Sequence, residues 1–113
     1  MKKKIAIPTD ATGILDAHFG HCKFFVLITF RDDEIVLEEK VVPPPHEPGV
    51  LPKWLADKQV TDILARGMGR KAMQLFKQYG INVTVGAPRE AARELAKGYL
   101  KNTLTLSANH CDH

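Results

Sequence analysis

The imidazoles and thiols of this chain fall in three short stretches. His18, His21 and Cys22 share the run His18-Phe19-Gly20-His21-Cys22, His46 stands in Pro43-Pro44-Pro45-His46-Glu47-Pro48-Gly49, and His110, Cys111 and His113 close the sequence. Imidazole nitrogen and thiolate sulfur are the donors that softer metals and iron-sulfur clusters prefer, whereas calcium and magnesium take oxygen. A soft metal or a metal-sulfur cluster is therefore the ligand class these residues fit. Gly20 lets the backbone fold closely around such a ligand. Three donors do not close a tetrahedral zinc site, and the spacing departs from the usual Cys-x2-Cys with His-x3-His patterns. The bland alternative makes His18 and His21 loop or capping residues and Cys22 a small buried hydrophobe. The tail is denser in donors, but a terminal His-Cys segment also collects nickel, copper or zinc without a selected role. His46 reads as an exposed loop histidine, or as part of a lid whose proline stiffness lowers the entropy lost on closing.

A second feature suits an anion. Gly67-Met68-Gly69-Arg70-Lys71 joins a predicted strand to a predicted helix, where free N–H groups, the helix dipole and two cations attract negative charge. It lacks the Gly-Lys-Ser/Thr of a nucleotide-binding loop and the third glycine of a dinucleotide fold. Carboxylates form no convincing catalytic set: Asp10 follows the first strand, while Asp32, Asp33, Glu34, Glu38 and Glu39 occupy a hairpin turn and an edge strand. Cys22 beside histidines is the one candidate for covalent catalysis.

These residues must be held by regular elements. Lys4 to Pro8 predicts a buried strand, with a turn through Thr9 to Gly13. Phe24 to Phe30 and Glu34 to Val42 predict a hairpin turning at Arg31-Asp32-Asp33, its first arm buried on both faces and its second a charged edge. The proline run is a connector without regular structure. Val50 to Lys58 predicts a short helix facing inward with Leu51, Trp54 and Leu55, and Val60 to Ala65 a strand. Met68, Ala72, Leu75, Phe76 and Tyr79 recur at helical spacing until Gly80. Ile81 to Val85 is a further strand, and Pro88 opens a helix burying Ala91, Ala92, Leu95 and Ala96 before Gly98 ends it. Leu100 to Ser107 is compatible with either a strand or an irregular surface segment. The order β-β-β-α-β-α-β-α predicts a single α/β domain: a mixed five-stranded sheet flanked by helices.

At 113 residues, 44% hydrophobic and 26% charged, the chain suffices for one core. Residues 1–107 are expected to form it, with residues 108–113 as a His/Cys-containing tail. Only Ile5-Ala6-Ile7 separates the basic start from Pro8, too short for an export signal, and no apolar run spans a bilayer. A soluble cytoplasmic protein with two reduced cysteines is expected. The net charge of +3 is spread among acidic residues, which is weak evidence for nucleic acid and fits an anionic small ligand equally well; neither nucleic acid nor membrane is expected as a partner.

Four segments, in order, carry a resemblance: Lys4 to Asp10 (KIAIPTD), His18-Phe19-Gly20-His21-Cys22 leading into Phe24-Phe25, Ala65 to Ala72 (ARGMGRKA), and Gly80-Ile81-Asn82-Val83. Together they resemble the dinitrogenase iron-molybdenum cofactor-binding family, over about residues 3 to 98. The resemblance implies a ribonuclease H-like, nitrogenase accessory factor-like fold without nuclease activity. It implies a non-catalytic carrier or assembly factor. The cargo would be an iron-molybdenum-type cofactor, its precursor, or a molybdenum-copper-sulfide cluster like that of the orange protein. Cluster-donating and cluster-accepting proteins would be its partners, and the carrier itself a monomer or weak dimer. By the family pattern His18, Gly20, Gly67 and Gly69 border the ligand. His21, Cys22 and Arg70 stand beside them and are expected to join them, while Cys22 and the tail are additions many members lack. Three rivals remain: a copper- or zinc-binding homeostasis module, a regulatory interaction domain with a vestigial cluster site, and a thiol enzyme.

Overall fold

Alternation along the first strand divides the core. Ile5 and Ile7 face one side of a sheet and Ala6 the other, all three fully buried, because successive strand residues point to opposite faces. The computed structural model describes residues 2–17, 19, 22–45 and 49–107. Its elements are β1 (Lys2–Thr9), β2 (Phe24–Arg31), β3 (Glu34–Val41), α1 (Val50–Asp57), β4 (Asp62–Leu64), α2 (Arg70–Gln78), β5 (Asn82–Thr84) and α3 (Ala92–Lys101). They build one domain around a five-stranded sheet of order β3-β2-β1-β4-β5. β2 runs antiparallel to β1 and β3, while β1, β4 and β5 are mutually parallel. This is the mixed five-stranded sheet that the order of elements in the sequence predicts.

Each face carries its own apolar layer. Ala6, Phe25, Leu27 and Ile63 pack with Leu51 and Leu55 of α1 and Phe76 of α2. On the opposite face Ile5, Ile7, Val26, Ile28 and Leu64 pack with Ala92, Leu95 and Ala96 of α3. β2, covered on both sides, is buried from Phe25 to Phe30, whereas edge strand β3 is largely exposed. The hairpin turns on Asp32, which adopts a left-handed φ of 57° that aspartate tolerates.

Strand ends shift by one or two residues, and four features of α2 and α3 differ from the sequence expectation for a physical reason. Met68 precedes α2 and is buried in the first apolar layer; the helix starts only after Gly69, whose backbone is extended (φ −67°, ψ 153°). Tyr79, expected inward, caps the end of α2 and is 47% exposed. α3 begins at Ala92 and not at Pro88, because the intervening backbone pairs sideways. Leu15 N–H donates to Glu90 O (3.0 Å), Ala92 N–H donates to Gly13 O (3.0 Å), and exposed Ala91 bridges Ile14. Gly98 does not end α3. It lies inside the helix, where a Cβ would approach Leu104 Cδ2 to 2.7 Å, and the stop comes at Asn102 in the left-handed region (φ 58°). Residues 103–107 return irregularly along the surface.

One end of the sheet is fixed by polar contacts. Asp62, 1% exposed, accepts hydrogen bonds from Thr61 Oγ1 (2.7 Å), Tyr99 Oη (2.7 Å) and Asn82 Nδ2 (3.4 Å). These ties join β4, β5 and α3 at the starts of the parallel strands. Burial, then the bond to Asp62, pushes the Tyr99 hydroxyl up to about 12.

Candidate functional site

The other end of the sheet collects the sequence-predicted site segments. β1 ends at Thr9, β4 at Leu64 and β5 at Thr84, while the pairs Thr9–Phe24 and Phe25–Val41 place the start of β2 and the end of β3 beside them. The connection into β2, the connection leaving β3 and the glycine turn after β4 all join the sheet at this edge. In open α/β sheets, ligands bind outside the carboxyl ends of the strands.

The described residues of the His-Phe-Gly segment are anchored firmly. Phe19 is 8% exposed, and its ring meets Phe25 (5.6 Å between centroids) and Phe76 (5.5 Å) edge-on. Such aromatic pairs add roughly 0.5–1.5 kcal/mol beyond their buried area. Cys22 is buried in the same layer, beside β2, as a free thiol. Burial first, and the Asp16 carboxylate second, push that thiol up to about 12. The thiolate at Cys22 is thus far rarer than at an ordinary cysteine. In the unliganded protein Cys22 behaves as a small hydrophobe, and its use as a ligand requires a metal to displace the proton.

Gly67 and Met68 of the glycine turn are buried, and Gly69 is partly so. Gly69 provides the first acceptor of α2, taking the Met73 N–H at 3.1 Å. It has no side chain to cap the helix, and the first turn of α2 holds no acidic residue. Its N–H groups and the exposed Arg70 and Lys71 therefore leave this terminus electropositive. The glycine turn and the Cys22 segment meet through Met68, Phe19, Cys22 and Phe76, which share one packed layer.

Among the described residues, no group of three His, Cys, Asp or Glu stands close enough to hold a metal ion. His18, Gly20, His21, His46, His110, Cys111 and His113 lie outside the described residues. Asp10, the carboxylate at the end of β1, organises its own turn. It accepts from Thr12 N–H (2.8 Å), Thr12 Oγ1 (2.5 Å) and Ile14 N–H (3.3 Å), and these bonds hold it below the usual carboxylate range.

Two features of this edge escape sequence reasoning. Thr9 Oγ1 is fully buried and has no hydrogen-bond partner among the described residues, which no pattern signals. Gly86, in the left-handed region (φ 80°), lies against the returning C-terminal segment: a Cβ there would sit 2.0 Å from Ser107 O. A Gly-Ala-Pro run after a strand reads only as a turn, so its role as a dock is invisible before folding.

The model of the family described as dinitrogenase iron-molybdenum cofactor matches residues 1–102. The chain belongs to this family. As a family member it shares 34% identity over 85 residues with the protein MJ0580 of Methanocaldococcus jannaschii, 71% of each chain. PH0822 is similar in structure, with a TM-score of 0.85 and 27% identity over 96% of this chain and 99% of its own. The apo orange protein of Desulfovibrio gigas has the same fold, with a TM-score of 0.77 and 22% identity over 95% and 94% of the two chains. The description of the family names a cofactor, the iron-molybdenum cofactor of dinitrogenase. No helix among the described residues is long and apolar enough to cross a membrane.

Proposed function

We propose that this family member is a non-catalytic carrier of a metal-sulfur cluster, held at the carboxyl edge of the parallel strands. The observation that supports it most is that Phe19, Cys22 and Met68 of the glycine turn share one buried layer, next to an electropositive helix start without a side-chain cap. The cargo is an iron-molybdenum-type cofactor, its precursor, or a molybdenum-copper-sulfide cluster. His18 and His21 supply imidazole to open metal positions and Cys22 supplies a thiolate once its proton is displaced. Gly20, Gly67 and Gly69 let backbone approach the cluster, and Arg70 with the α2 N–H groups balances its sulfide charge. His46, His110, Cys111 and His113 are additional ligands, the last three on a tail distinct from the domain of residues 1–107.

A carrier must also release. Few protein ligands, one of them a thiol that prefers its proton, favour transfer to an accepting protein over permanent storage. The protein acts in the cytoplasm, as a monomer or weak dimer, between cluster-donating and cluster-accepting proteins. Buried Cys22, pushed up to about 12, favours this reading over a thiol enzyme, whose nucleophile needs accessible thiolate.

The test is the metal and acid-labile sulfide content of untagged protein purified without oxygen from its native host. Stoichiometric molybdenum or iron with sulfide is expected. Zinc, copper or nickel without sulfide would replace the carrier by an ion-binding homeostasis module.

A further inference from the structure

One face of the sheet continues past the apolar layer that α1 and α2 cover. Phe25 and Leu27 of β2 belong to that layer, and Thr29 and Arg31 carry the same alternation onward, beside Lys2 and Lys4 of β1. These four residues floor a groove of about 420 Å³. One wall is the edge strand β3. Its register shifts so that Thr29 pairs with Leu37 and Phe30 with Ile35, which leaves Val36 as the extra residue of a bulge. A bulge re-aims side chains, and Val36 and Leu37, consecutive residues that a regular strand would point apart, both line the groove, 55% and 50% exposed. The other wall includes Gln59, which follows α1 with a left-handed φ of 64°, a backbone that glycine adopts at less cost.

The floor carries an unfavourable pairing. Lys2 and Arg31 stand directly opposite each other across the β1–β2 ladder. Like charges so placed, with Cβ atoms about 5 Å apart, repel and destabilise a sheet. Neither has an ion-pair partner among the described residues: Glu34, opposite Arg31 on β3, stays outside ion-pair distance, and Glu39 is taken by Lys4 at 3.8 Å. Lys4 Nζ also donates to Lys58 O at 2.8 Å, and the Thr61 hydroxyl is occupied by Asp62. Thr29 is only 4% exposed, and its hydroxyl makes no hydrogen bond among the described residues, although Thr29 lines the groove. Two unpaired cations, a nearly buried hydroxyl without a partner and two exposed aliphatic side chains therefore face one cavity. That set complements a carboxylate carried beside an apolar side chain.

We propose that this groove docks an extended acidic segment of a partner protein. A carboxylate of the segment sits between Lys2 and Arg31 and accepts from the Thr29 hydroxyl, and a neighbouring aliphatic side chain packs on Val36 and Leu37. The positive charge is spread along a strand and not gathered at a point: Lys2 and Lys4, two residues apart on one face, are separated by about 7 Å, the spacing of alternate side chains in an extended chain. β3 ends the strand order, so the groove is open on its outer side to a chain passing across it. Glu34 and Glu39 at the rim oppose a long polyanion such as nucleic acid. Lys4 lies five residues before Thr9 along β1, roughly 17 Å at about 3.4 Å per residue. A segment docked here leaves the carboxyl edge uncovered, and the proposal does not depend on what that edge holds.

An amide NMR titration of the tag-free full-length chain, free of any cluster, with the peptide acetyl-Asp-Glu-Leu-Glu-Asp-Leu-amide tests this. Saturable shifts are expected at residues 2–4, 29–31, 36–37 and 59–61, with a dissociation constant of about 0.1–1 mM for so small a contact. The same peptide with Asn and Gln in place of its acids is expected to cause none. Arg31→Gln and Lys2→Gln each weaken binding at least about fivefold and also raise the midpoint of chemical denaturation, because each relieves the opposed pair. A pair kept only for the fold would not couple a gain in stability to a loss of binding. Leu37→Ser weakens binding severalfold, and Lys53→Gln, which removes an exposed cation of α1 outside the groove, leaves it unchanged. Shifts centred on another surface, no saturation below about 10 mM, or affinity unmoved by both Arg31→Gln and Lys2→Gln would overturn the proposal. So would equal affinity for inorganic phosphate, which would make the groove a simple anion site, or for a single-stranded oligonucleotide, which would make it a polyanion surface.

Discussion

The two ends of the sheet are built from opposite kinds of chemistry. Where the parallel strands begin, Asp62, Thr61, Asn82 and Tyr99 satisfy one another in a buried network. Where the strands end, Cys22 is a buried thiol that burial and the Asp16 carboxylate keep protonated, Thr9 Oγ1 has no partner among the described residues, and α2 starts without a side-chain cap. The first end joins three elements and leaves its polar groups spent. The second leaves its polar and soft groups available, at a stability cost that an aromatic anchor, Phe19 between Phe25 and Phe76, offsets. A buried polar group without a partner calls for an explanation, and the ligand proposed for this end would supply one.

The largest effect on this contrast comes from removing the anchor. Phe76→Ala empties a fully buried site under both Phe19 and the glycine turn and is expected to cost about 3–5 kcal/mol, read from chemical denaturation. At the fixed end, Tyr99→Phe removes one bond to a buried carboxylate. It is expected to cost about 1.5–3 kcal/mol in the same assay while leaving metal affinity unchanged; altered metal affinity would show that the two ends are not independent.

The thiol separates the ends through pH. Because Cys22 is raised to about 12, it binds a proton throughout the neutral range and metal coordination must release it. Affinity for a thiophilic ion is therefore expected to rise about tenfold per pH unit from the Cys22 proton alone, a component that Cys22→Ala abolishes. The same thiol bears on folding with a defined sign. A pKa raised above its value in the unfolded chain, ordinarily near 9, favours the fold below that value, and the contribution fades as pH rises through 9 toward 12. The smallest effect is at Thr9. Replacing the unpartnered hydroxyl by a methyl in Thr9→Val is expected to leave stability unchanged or raise it by about 1 kcal/mol, and a clear loss would show that the hydroxyl has a partner in solution.

The elements that bury apolar side chains were legible from the sequence, and the contacts made between distant segments were not. Strand alternation at Ile5-Ala6-Ile7 and the continuous run of β2 report their own burial, because each residue's environment follows from its neighbours' pattern. The start of α3 does not, since Pro88 to Ala91 is claimed by residues 13–15 from across the chain. Gly98 reads as a stop, and only the arrival of Leu104 makes it an interior glycine. Asp62 reads as one acid in a short apolar strand; its partners Asn82 and Tyr99 come from other elements. At the candidate site the donor types at residues 18–22 and the glycines at 67 and 69 were visible in sequence. The burial of Cys22, which sets its protonation, and the Gly86–Ser107 joint come only from packing.

Hydrogen exchange of the anaerobic protein, with and without an added metal-sulfur cluster, tests most directly the proposal that such a cluster is held at the carboxyl edge. Slowed exchange is expected only at the amides of that edge, residues 17–24, 65–72 and 85–87, with Thr61, Asp62, Asn82 and Tyr99 unchanged. Protection gained at those four residues, with none at the carboxyl edge, would contradict it.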